Sequence, residues 1–204
     1  MGKVIVHNLM SLDGYYAGPA KQVDAIWKYL HSDYNHDSSF HHFNIELLRS
    51  SFVLIIGKDT YLDKFNNDRS KMLHDPNASF LARELASVIG TIDKIVVSDT
   101  LTEEDIVPGN NTQIIKRTDV FKTISDLKHT SDKHIAIIGS RTLWQDLLAH
   151  DLVDELRLTI APVFSGSGTP LFDHQPEVYL KRTDTRIAEG NIMVVFQVSR
   201  NKEF

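Results

Sequence analysis

The sequence predicts an α/β domain built on a mostly parallel sheet that ends in an antiparallel hairpin. Short runs rich in Val and Ile alternate with amphipathic segments, which is typical of parallel strands joined by helices. Near the C-terminus, two strand-like runs at 178–188 and 192–198 are separated only by Glu189-Gly190-Asn191, which predicts a hairpin. The 204 residues contain no repeat and no Pro/Ser-rich linker, so we expect one domain spanning 1–204.

Hydrophobic spacing predicts each element of the N-terminal half. The first strand is the β-branched run 3–10, which ends at the turn sequence 11–14. Two amphipathic helices are predicted next, with apolar positions three or four residues apart: Val23, Ile26, Trp27 and Leu30 in the first, and Phe40, Phe43, Leu47 and Leu48 in the second. A buried strand at 52–56, a polar loop at 66–77 and a helix at 80–89 complete this half.

The C-terminal half continues the alternation. Strands are predicted at 94–97 and 113–116, with an acidic loop containing Pro108-Gly109 between them. Asp119 can cap a helix whose apolar face is formed by Val120, Phe121, Ile124 and Leu127. A strand at 135–138, a helix at 142–150 and a strand at 155–163 follow before the hairpin.

Composition excludes several classes of function. The net charge of −5 argues against nucleic-acid binding, which needs a basic face. The sequence has no cysteine, so thiol catalysis and zinc–thiolate sites are excluded, and the ten histidines match no zinc signature. No apolar run is long enough for a signal peptide or a membrane helix. We therefore expect a cytoplasmic protein without a metal site.

Three predicted strand ends share one arrangement, in which an apolar strand stops at Gly or Ser and small or hydroxylated residues follow. The segments are Gly57-Lys58-Asp59-Thr60, Ser98-Asp99-Thr100-Leu101 and Gly139-Ser140-Arg141-Thr142-Leu143. Ligands of parallel sheets bind beyond the carboxyl ends of the strands, and a glycine before a helix lets the backbone approach a phosphate. One such end is explained equally well by a capped turn. Three together favour a nucleotide-phosphate site, centred on residues 135–172.

Two further segments carry alternatives that the residues alone leave open. Asp13 follows the first strand, where a carboxylate could be a proton donor or a substrate anchor, although Asp-Gly is also a common turn pair. Gly166-Ser167-Gly168 is either a flexible turn or a loop that closes near a ligand. Local sequence favours the turn for Asp13 and does not decide for the glycine loop.

The order of these motifs resembles a known family. The matching segments are Met10-Ser11-Leu12-Asp13-Gly14-Tyr15, Gly57-Lys58-Asp59-Thr60-Tyr61, Lys94-Ile95-Val96-Val97-Ser98, Ile138-Gly139-Ser140, Leu152-Val153-Asp154-Glu155-Leu156, Pro162-Val163-Phe164-Ser165-Gly166-Ser167-Gly168 and Leu171-Phe172. They look like a stand-alone form of the C-terminal reductase domain of the riboflavin-biosynthesis deaminase–reductase, within the dihydrofolate reductase-like superfamily. The resemblance extends from residue 3 to about residue 198.

The resemblance implies a dihydrofolate reductase-like fold, NADPH as hydride donor and a homodimer. By matched position, Gly57, Lys58 and Thr60 lie at the adenosine-phosphate end of the cofactor, and Ser98, Thr100 and Leu101 along its adenosine side. Gly139, Ser140, Arg141, Thr142 and Leu143 hold the pyrophosphate, and the segment 8–17, ending at Ala17, covers the nicotinamide and the substrate. The implied activity is reduction of a small heterocycle, pteridine- or aminopyrimidine-like, related to 5-amino-6-(5-phosphoribosylamino)uracil or dihydrofolate.

Departures from the family pattern leave cofactor and substrate open. Asp59 and Asp99 stand where the family often has basic residues, so NADH is an alternative to NADPH. Ile138 and Ser140 replace a usual Glu and Gly, and Asp24 is either the acidic residue of a dihydrofolate reductase or a helix cap. A non-catalytic nucleotide- or ligand-binding dimer is the main alternative to a reductase, and a flavin carrier is a third.

Overall fold

A computed structural model describes residues 2–19, 28–65, 73, 75–107, 109, 111–174 and 176–202. It confirms the predicted architecture, a mostly parallel sheet flanked by helices with an antiparallel hairpin at its end. The strands of the main sheet, numbered in chain order, follow the spatial order β5 (Thr112–Ile115), β4 (Asp93–Val97), β3 (Ser51–Gly57), β6 (His134–Ile138), β1 (Val4–Ser11), β7 (Glu155–Ala161), β10 (Ile192–Ser199) and β9 (Tyr179–Ile187). Neighbouring strands from β5 to β7 are parallel, whereas β10 and β9 run antiparallel.

The bounds of the strands lie close to the predicted runs. Two short strands that the sequence did not predict, β2 (Tyr15–Ala17) and β8 (Thr169–Pro170), pair with each other outside this sheet. The predicted strand 155–163 ends two residues early, at Ala161.

The helices cover both faces of the sheet. They are α1 (Ser39–Ser50), the short α2 (Lys58–Thr60), which continues as a π-helical turn over Tyr61–Phe65, α3 (Phe80–Thr91), α4 (Val120–Leu127) and α5 (Arg141–Ala149). One core cluster packs α1 and α3 on one face, and the other packs α4 and α5 on the opposite face. Alternate residues of each central strand serve the two clusters, which is why these strands are apolar throughout. No helix in the described ranges is long and apolar enough to span a membrane.

Two local predictions have a more specific outcome. Asp119 stands at the N-cap position of α4, but its side chain makes no capping hydrogen bond because a 3-10 turn, Arg117–Asp119, leads into the helix with Asp119 already in helical conformation. Leu30 is not helical in the structure, and the remaining residues of its predicted helix, with Asp24, lie outside the described residues. The same holds for most of the predicted loop 66–77 and for Pro108.

The topology brings the candidate segments together. Because β3, β4 and β6 are neighbours or next neighbours and run parallel, their carboxyl ends meet at one edge of the sheet. These are the three strand ends that carry the Gly and Ser motifs. The site described below lies at this edge, as expected for open parallel sheets.

Candidate functional site

A cleft of about 650 Å³ opens at the carboxyl edge of the sheet. Its lining comes from the ends of the parallel strands, the first turns of α2 and α5, and the paired strands β2 and β8. The lining residues are Tyr16, Ala17, Gly57, Lys58, Asp59, Thr60, Leu62, Asp63, Val97, Ser98, Asp99, Thr100, Arg117, Ser140, Arg141, Thr142, Leu143 and Thr169. This volume falls within the range of about 300–1,000 Å³ that small-molecule sites occupy.

The start of α5 forms the centre of the cleft wall. Gly139 and Ser140 both have left-handed backbone conformations, with φ of 63° and 53°. Left-handed backbone favours glycine, and at Ser140 it costs free energy that other contacts must offset. The turn directs the first residues of α5, Arg141, Thr142 and Leu143, to the cleft, where their N–H groups have no acceptor within the helix. Such a helix start attracts anions.

Hydrogen bonds to the end of β3 and to α2 hold this turn in place. The Ser140 hydroxyl accepts the N–H of Gly57 at 3.0 Å and lies 3.1 Å from the Thr60 hydroxyl. The N–H of Ser140 donates to the same Thr60 oxygen at 3.2 Å. The Ser140 side chain therefore offsets the strained backbone with contacts that a second glycine could not make, and it fixes the turn before α5.

The basic side chains of the cleft are already paired. Lys58 Nζ donates to the Thr100 hydroxyl at 2.8 Å, and the Arg117 guanidinium lies 3.2 Å from the Asp146 carboxylate. Arg141 donates to the carbonyl of Leu171 at 3.0 Å and also pairs with Asp173. A phosphate in this cleft must share or displace these contacts. Arg117 is the most exposed of the three, with 57% of its side chain accessible against 10% for Arg141, so it can reorient most easily.

Acidic side chains balance the basic ones. Asp59, Asp63 and Asp99 line the same cleft as Lys58, Arg117 and Arg141, so formal charges of opposite sign are equal in number. Asp99 also accepts the backbone N–H of Arg117 at 3.0 Å, which fixes its carboxylate at the β4–β5 end. The cleft therefore offers hydrogen-bond donors and a helix start rather than a strong excess of positive charge.

Ser98 directly follows β4, and its side chain forms the turn after this strand. Its hydroxyl accepts the N–H groups of Thr100 at 3.1 Å and Leu101 at 2.9 Å, which closes a tight turn. This turn places Thr100 in the cleft wall, while the Leu101 side chain packs against the core cluster under α3. Leu101 therefore supports the turn and is not among the residues that line the cleft.

Asp13 lies at the turn between β1 and β2, outside the lining of the cleft. Its carboxylate accepts the Ser11 hydroxyl at 2.6 Å and the backbone N–H groups of Ser165 at 3.0 Å and Gly166 at 2.8 Å. Although desolvation acts in the opposite sense, these donors together lower the pKa of Asp13. A carboxylate held by three donors favours the role of loop anchor, so a proton-donor role stays a prediction without a contact in its favour.

The glycine loop predicted at 166–168 packs on the β1–β2 turn. The N–H of Leu12 donates to the carbonyl of Val163 at 2.8 Å, in addition to the hydrogen bonds that Asp13 accepts from Ser165 and Gly166. Gly168 has a φ of 130°, and a Cβ there would lie 2.2 Å from the Ala17 carbonyl oxygen. The loop thus closes directly against Ala17 and leads into Thr169, and both of these residues belong to the cleft wall.

Ten of the twelve predicted cofactor-binding residues line the cleft; Leu101 and Gly139 do not. Gly139 lies just behind the wall, where a Cβ would be 3.4 Å from the Tyr16 hydroxyl and 3.6 Å from Thr60. Whether these residues bind a cofactor stays a prediction. Within the described residues, no group of three or more His, Asp or Glu side chains is arranged to hold a metal ion.

Sequence reasoning missed Arg117 and Tyr16. Arg117 directly follows Lys116 at the end of β5, so extending the strand-end argument from three strands to the fourth would have found it. Tyr16 had no such signal, because it reaches the cleft only through the pairing of β2 with β8, about 150 residues away in sequence. Thr169 was missed for the same reason.

Comparison with known proteins places the chain in a family. Residues 2–193 match the family described as the RibD C-terminal domain. An uncharacterized protein of Bacillus subtilis (strain 168), YyaP, is 28% identical over 196 residues, which cover 95% of this chain and 94% of that protein.

Two solved structures show the same fold. A protein from Shewanella sp. PV-4 named for riboflavin biosynthesis has a TM-score of 0.65 at 21% identity, covering 98% of this chain and 100% of that one. Dihydrofolate reductase from Enterococcus faecalis, solved in complex with NADP(H), has a TM-score of 0.57 at 11% identity, covering 97% and 96%. The fold is dihydrofolate reductase-like, the resemblance found in the sequence is confirmed, and the chain belongs to the RibD C-terminal domain family.

Proposed function

We propose that this protein is an NAD(P)H-dependent reductase of a small heterocyclic substrate, pteridine- or aminopyrimidine-like. The observation that carries the proposal is the cleft at the carboxyl edge of the sheet, where the start of α5 and the hydroxyls of Thr60, Ser140 and Thr142 are held together. Family membership supports a reductase-like role, and the dihydrofolate reductase of similar fold was solved with NADP(H).

The residues of the cleft fit a dinucleotide. Glycine at position 139 leaves space in front of the helix start, and the first N–H groups of α5 are suited to a pyrophosphate. Lys58, Thr100 and Arg117 lie at the far end, where an adenosine phosphate could be bound. A reduced nicotinamide supplies the hydride when bound, and the protein contributes binding, orientation and the exclusion of water.

For the cofactor, we propose NADPH, with NADH as the alternative. A 2′-phosphate favours Arg or Lys, which Lys58 and Arg117 provide, whereas Asp99 beside them is better suited to a free ribose hydroxyl. Because each basic group also has a protein partner, the preference between the two dinucleotides is expected to be modest.

One observation favours a non-catalytic nucleotide-binding protein as the second candidate. The carboxylate proposed for proton transfer, Asp13, is bound by three donors and lies outside the cleft lining. A binding protein needs the cleft but no proton donor. The two candidates therefore make the same prediction for dinucleotide binding and opposite predictions for turnover.

Calorimetric titration with NADPH and NADH tests the proposal. We expect a Kd in the micromolar range for at least one dinucleotide, and Lys58→Ala should weaken binding about 10- to 150-fold, since a charged hydrogen bond contributes about 1.5–3 kcal/mol. The matched control is Lys122→Ala on α4. Lys122 is exposed and lies outside the cleft lining, so this variant should bind the dinucleotide normally.

Turnover separates the candidates. Oxidation of the bound dinucleotide by pterin or pyrimidine substrates supports the reductase, and tight binding with no oxidation across both classes supports the binding protein. If wild-type protein binds neither dinucleotide below about 1 mM, the reductase proposal is wrong.

A further inference from the structure

Tyr16 is a cleft residue to which no individual role has been assigned, although it belongs to the segment 8–17 that the family resemblance places over the nicotinamide. It lies in the middle of β2, whose pairing with β8 brings Tyr16, Ala17 and Thr169 to one wall of the cleft. Its ring is partly buried against the core cluster under α4 and α5. The ring is therefore fixed by packing, while the hydroxyl reaches the start of α5.

The Tyr16 hydroxyl lies beside the turn that precedes α5. A Cβ on Gly139 would stand 3.4 Å from the Tyr16 oxygen and 3.7 Å from the Thr60 Oγ1, so both hydroxyls lie close to the backbone of residue 139. The first N–H groups of α5 follow directly after Ser140. Hydroxyl groups beside a helix start are suited to bind a phosphate together with the N–H groups of that helix.

The charges around Tyr16 fit the role of a donor. Burial raises the pKa of its phenol, and the carboxylates of Asp63 and Asp59 add to this, while Arg141 opposes it. Tyr16 therefore stays protonated at neutral pH and can donate its hydrogen. The two carboxylates repel an anionic ligand. The protonated phenol and Arg141 are therefore the groups on this wall of the cleft that can donate hydrogen bonds to it.

We propose that the Tyr16 hydroxyl donates a hydrogen bond to a phosphate of the nucleotide bound at the start of α5, and so sets the affinity of the cleft for phosphate-containing ligands. This inference rests on the proposed function, because it concerns the same cleft. It differs from a proton-donor role for Tyr16, which would affect the rate of reduction and leave nucleotide affinity unchanged.

The test compares Tyr16→Phe with Tyr179→Phe by calorimetry. Phenylalanine keeps the ring and its packing and removes only the hydroxyl. Tyr179 on β9 is 46% exposed and lies outside the cleft lining, so its variant is a matched control for the loss of one phenolic hydroxyl. For Tyr16→Phe we expect the Kd of NADPH, NADH and ADP to rise about 10- to 150-fold, the effect of one hydrogen bond to a charged acceptor. The affinities of Tyr179→Phe, and the binding of adenosine to both variants, should be unchanged.

Each other outcome contradicts a specific statement. If wild-type protein binds neither dinucleotide nor ADP, both the proposed function and this inference are wrong. If wild-type protein binds them and Tyr16→Phe binds equally well, the inference alone is wrong. Unchanged affinity together with a slower turnover and an altered pH profile would overturn it in favour of proton donation. An equal loss for adenosine and ADP would also overturn it, because the contact would not involve phosphate.

Discussion

A histidine is buried in the centre of the sheet and held by two neutral partners. His7 on β1 is inaccessible to solvent, with Nδ1 2.7 Å from the carboxamide oxygen of Asn44 and Nε2 2.8 Å from the hydroxyl of Thr159. A neutral ring that donates from Nδ1 and accepts at Nε2 satisfies both contacts. Burial lowers the pKa of His7 to about 3, an effect to which Arg157 adds and which the bond to Asn44 opposes.

This histidine predicts how stability depends on pH. In the unfolded chain His7 binds a proton below its usual pKa of about 6.5, whereas in the folded protein it does so only near pH 3. The contribution of His7 to the free energy of unfolding should therefore be constant above pH 7. It should fall as the pH drops from about 6.5 towards 3, by up to about 1.4 kcal/mol per pH unit. Urea unfolding at pH 7, 6 and 5 measures this slope.

The histidine variant isolates the contribution of one ring. His7→Gln cannot titrate and should show a shallower slope than wild-type protein, while the exposed His129→Gln should keep the wild-type slope. Equal slopes in all three proteins would contradict the assignment of the acid sensitivity to His7.

At the scale of single residues, the sequence predicted which residues lie at the site better than it predicted which side chains they contact. The strand-end motifs were identified because each is local, with glycine, hydroxyl and charge within five residues. The contacts of His7, Asp13 and Tyr16 join segments about 40 to 150 residues apart, which no local pattern encodes. Asp13 is the clearest case, because its local sequence predicted a turn and gave no sign that its carboxylate binds the loop at 165–166.

At the scale of elements, the end of α3 depends on a lysine from the next strand. Lys94 is only 1% exposed, and its ammonium donates to the carbonyls of Ile89 at 2.8 Å and Ile92 at 2.7 Å. These carbonyls belong to the last turn of α3 and the residue after it, where the helix dipole is negative. The charge is buried yet hydrogen-bonded, so it fixes the junction between α3 and β4.

Replacing Lys94 should therefore destabilise the protein. Lys94→Met keeps the aliphatic length but leaves the two buried carbonyls without their donor, and we expect a loss of about 1–3 kcal/mol. Urea unfolding measures it, with Lys122→Met as the control, because the ion pair of Lys122 with Asp126 is exposed and should matter little. If both variants unfold at the wild-type urea concentration, Lys94 does not hold the helix end.

Elements defined by their own periodicity were predicted, and elements defined by a remote partner were not. The main strands and α1, α3, α4 and α5 begin and end within about three residues of the predicted runs. The short β2 and β8 have two or three residues each and exist only because Tyr15 pairs with Pro170 and Ala17 with Thr169. A strand of that length has no alternation to detect, so the pairing that brings Tyr16 and Thr169 to the cleft wall could not be predicted.

At the scale of the whole molecule, one face of the sheet becomes more exposed towards the β9 edge. Met10, Ile160, Ile192 and Ile187 stand opposite one another across β1, β7, β10 and β9. Exposure rises along this row, from partly buried Met10 and Ile160 to 42% at Ile192 and 81% at Ile187. Exposed apolar rows of this kind typically mark association sites.

The β9 edge itself is less suited to association than this face. The register with β10 shifts between Val195 and Phe196, opposite Asp184 and Arg182, which is a β-bulge. The strand also carries Lys181, Arg182, Asp184 and Arg186. Bulges and charges on an edge strand oppose pairing with another strand. We therefore propose that the homodimer implied by the family resemblance forms through the apolar row, and not by joining two sheets at β9.

Sedimentation velocity over a range of protein concentrations tests this proposal. Ile192→Glu places a charge in the centre of the row and should shift a wild-type dimer towards monomer, because the carboxylate would lose its hydration in the interface. Gln197→Glu is the matched control: it adds the same charge to an exposed position of β10 but on the opposite face, since its position differs from Ile192 by an odd number of residues. A dimer that Ile192→Glu leaves intact must use another surface, and a wild-type protein that stays monomeric at every concentration has no such interface. Because Ile192 and Gln197 both lie outside the cleft lining, nucleotide affinity should be equal in all three proteins, which separates loss of the dimer from damage to the cleft.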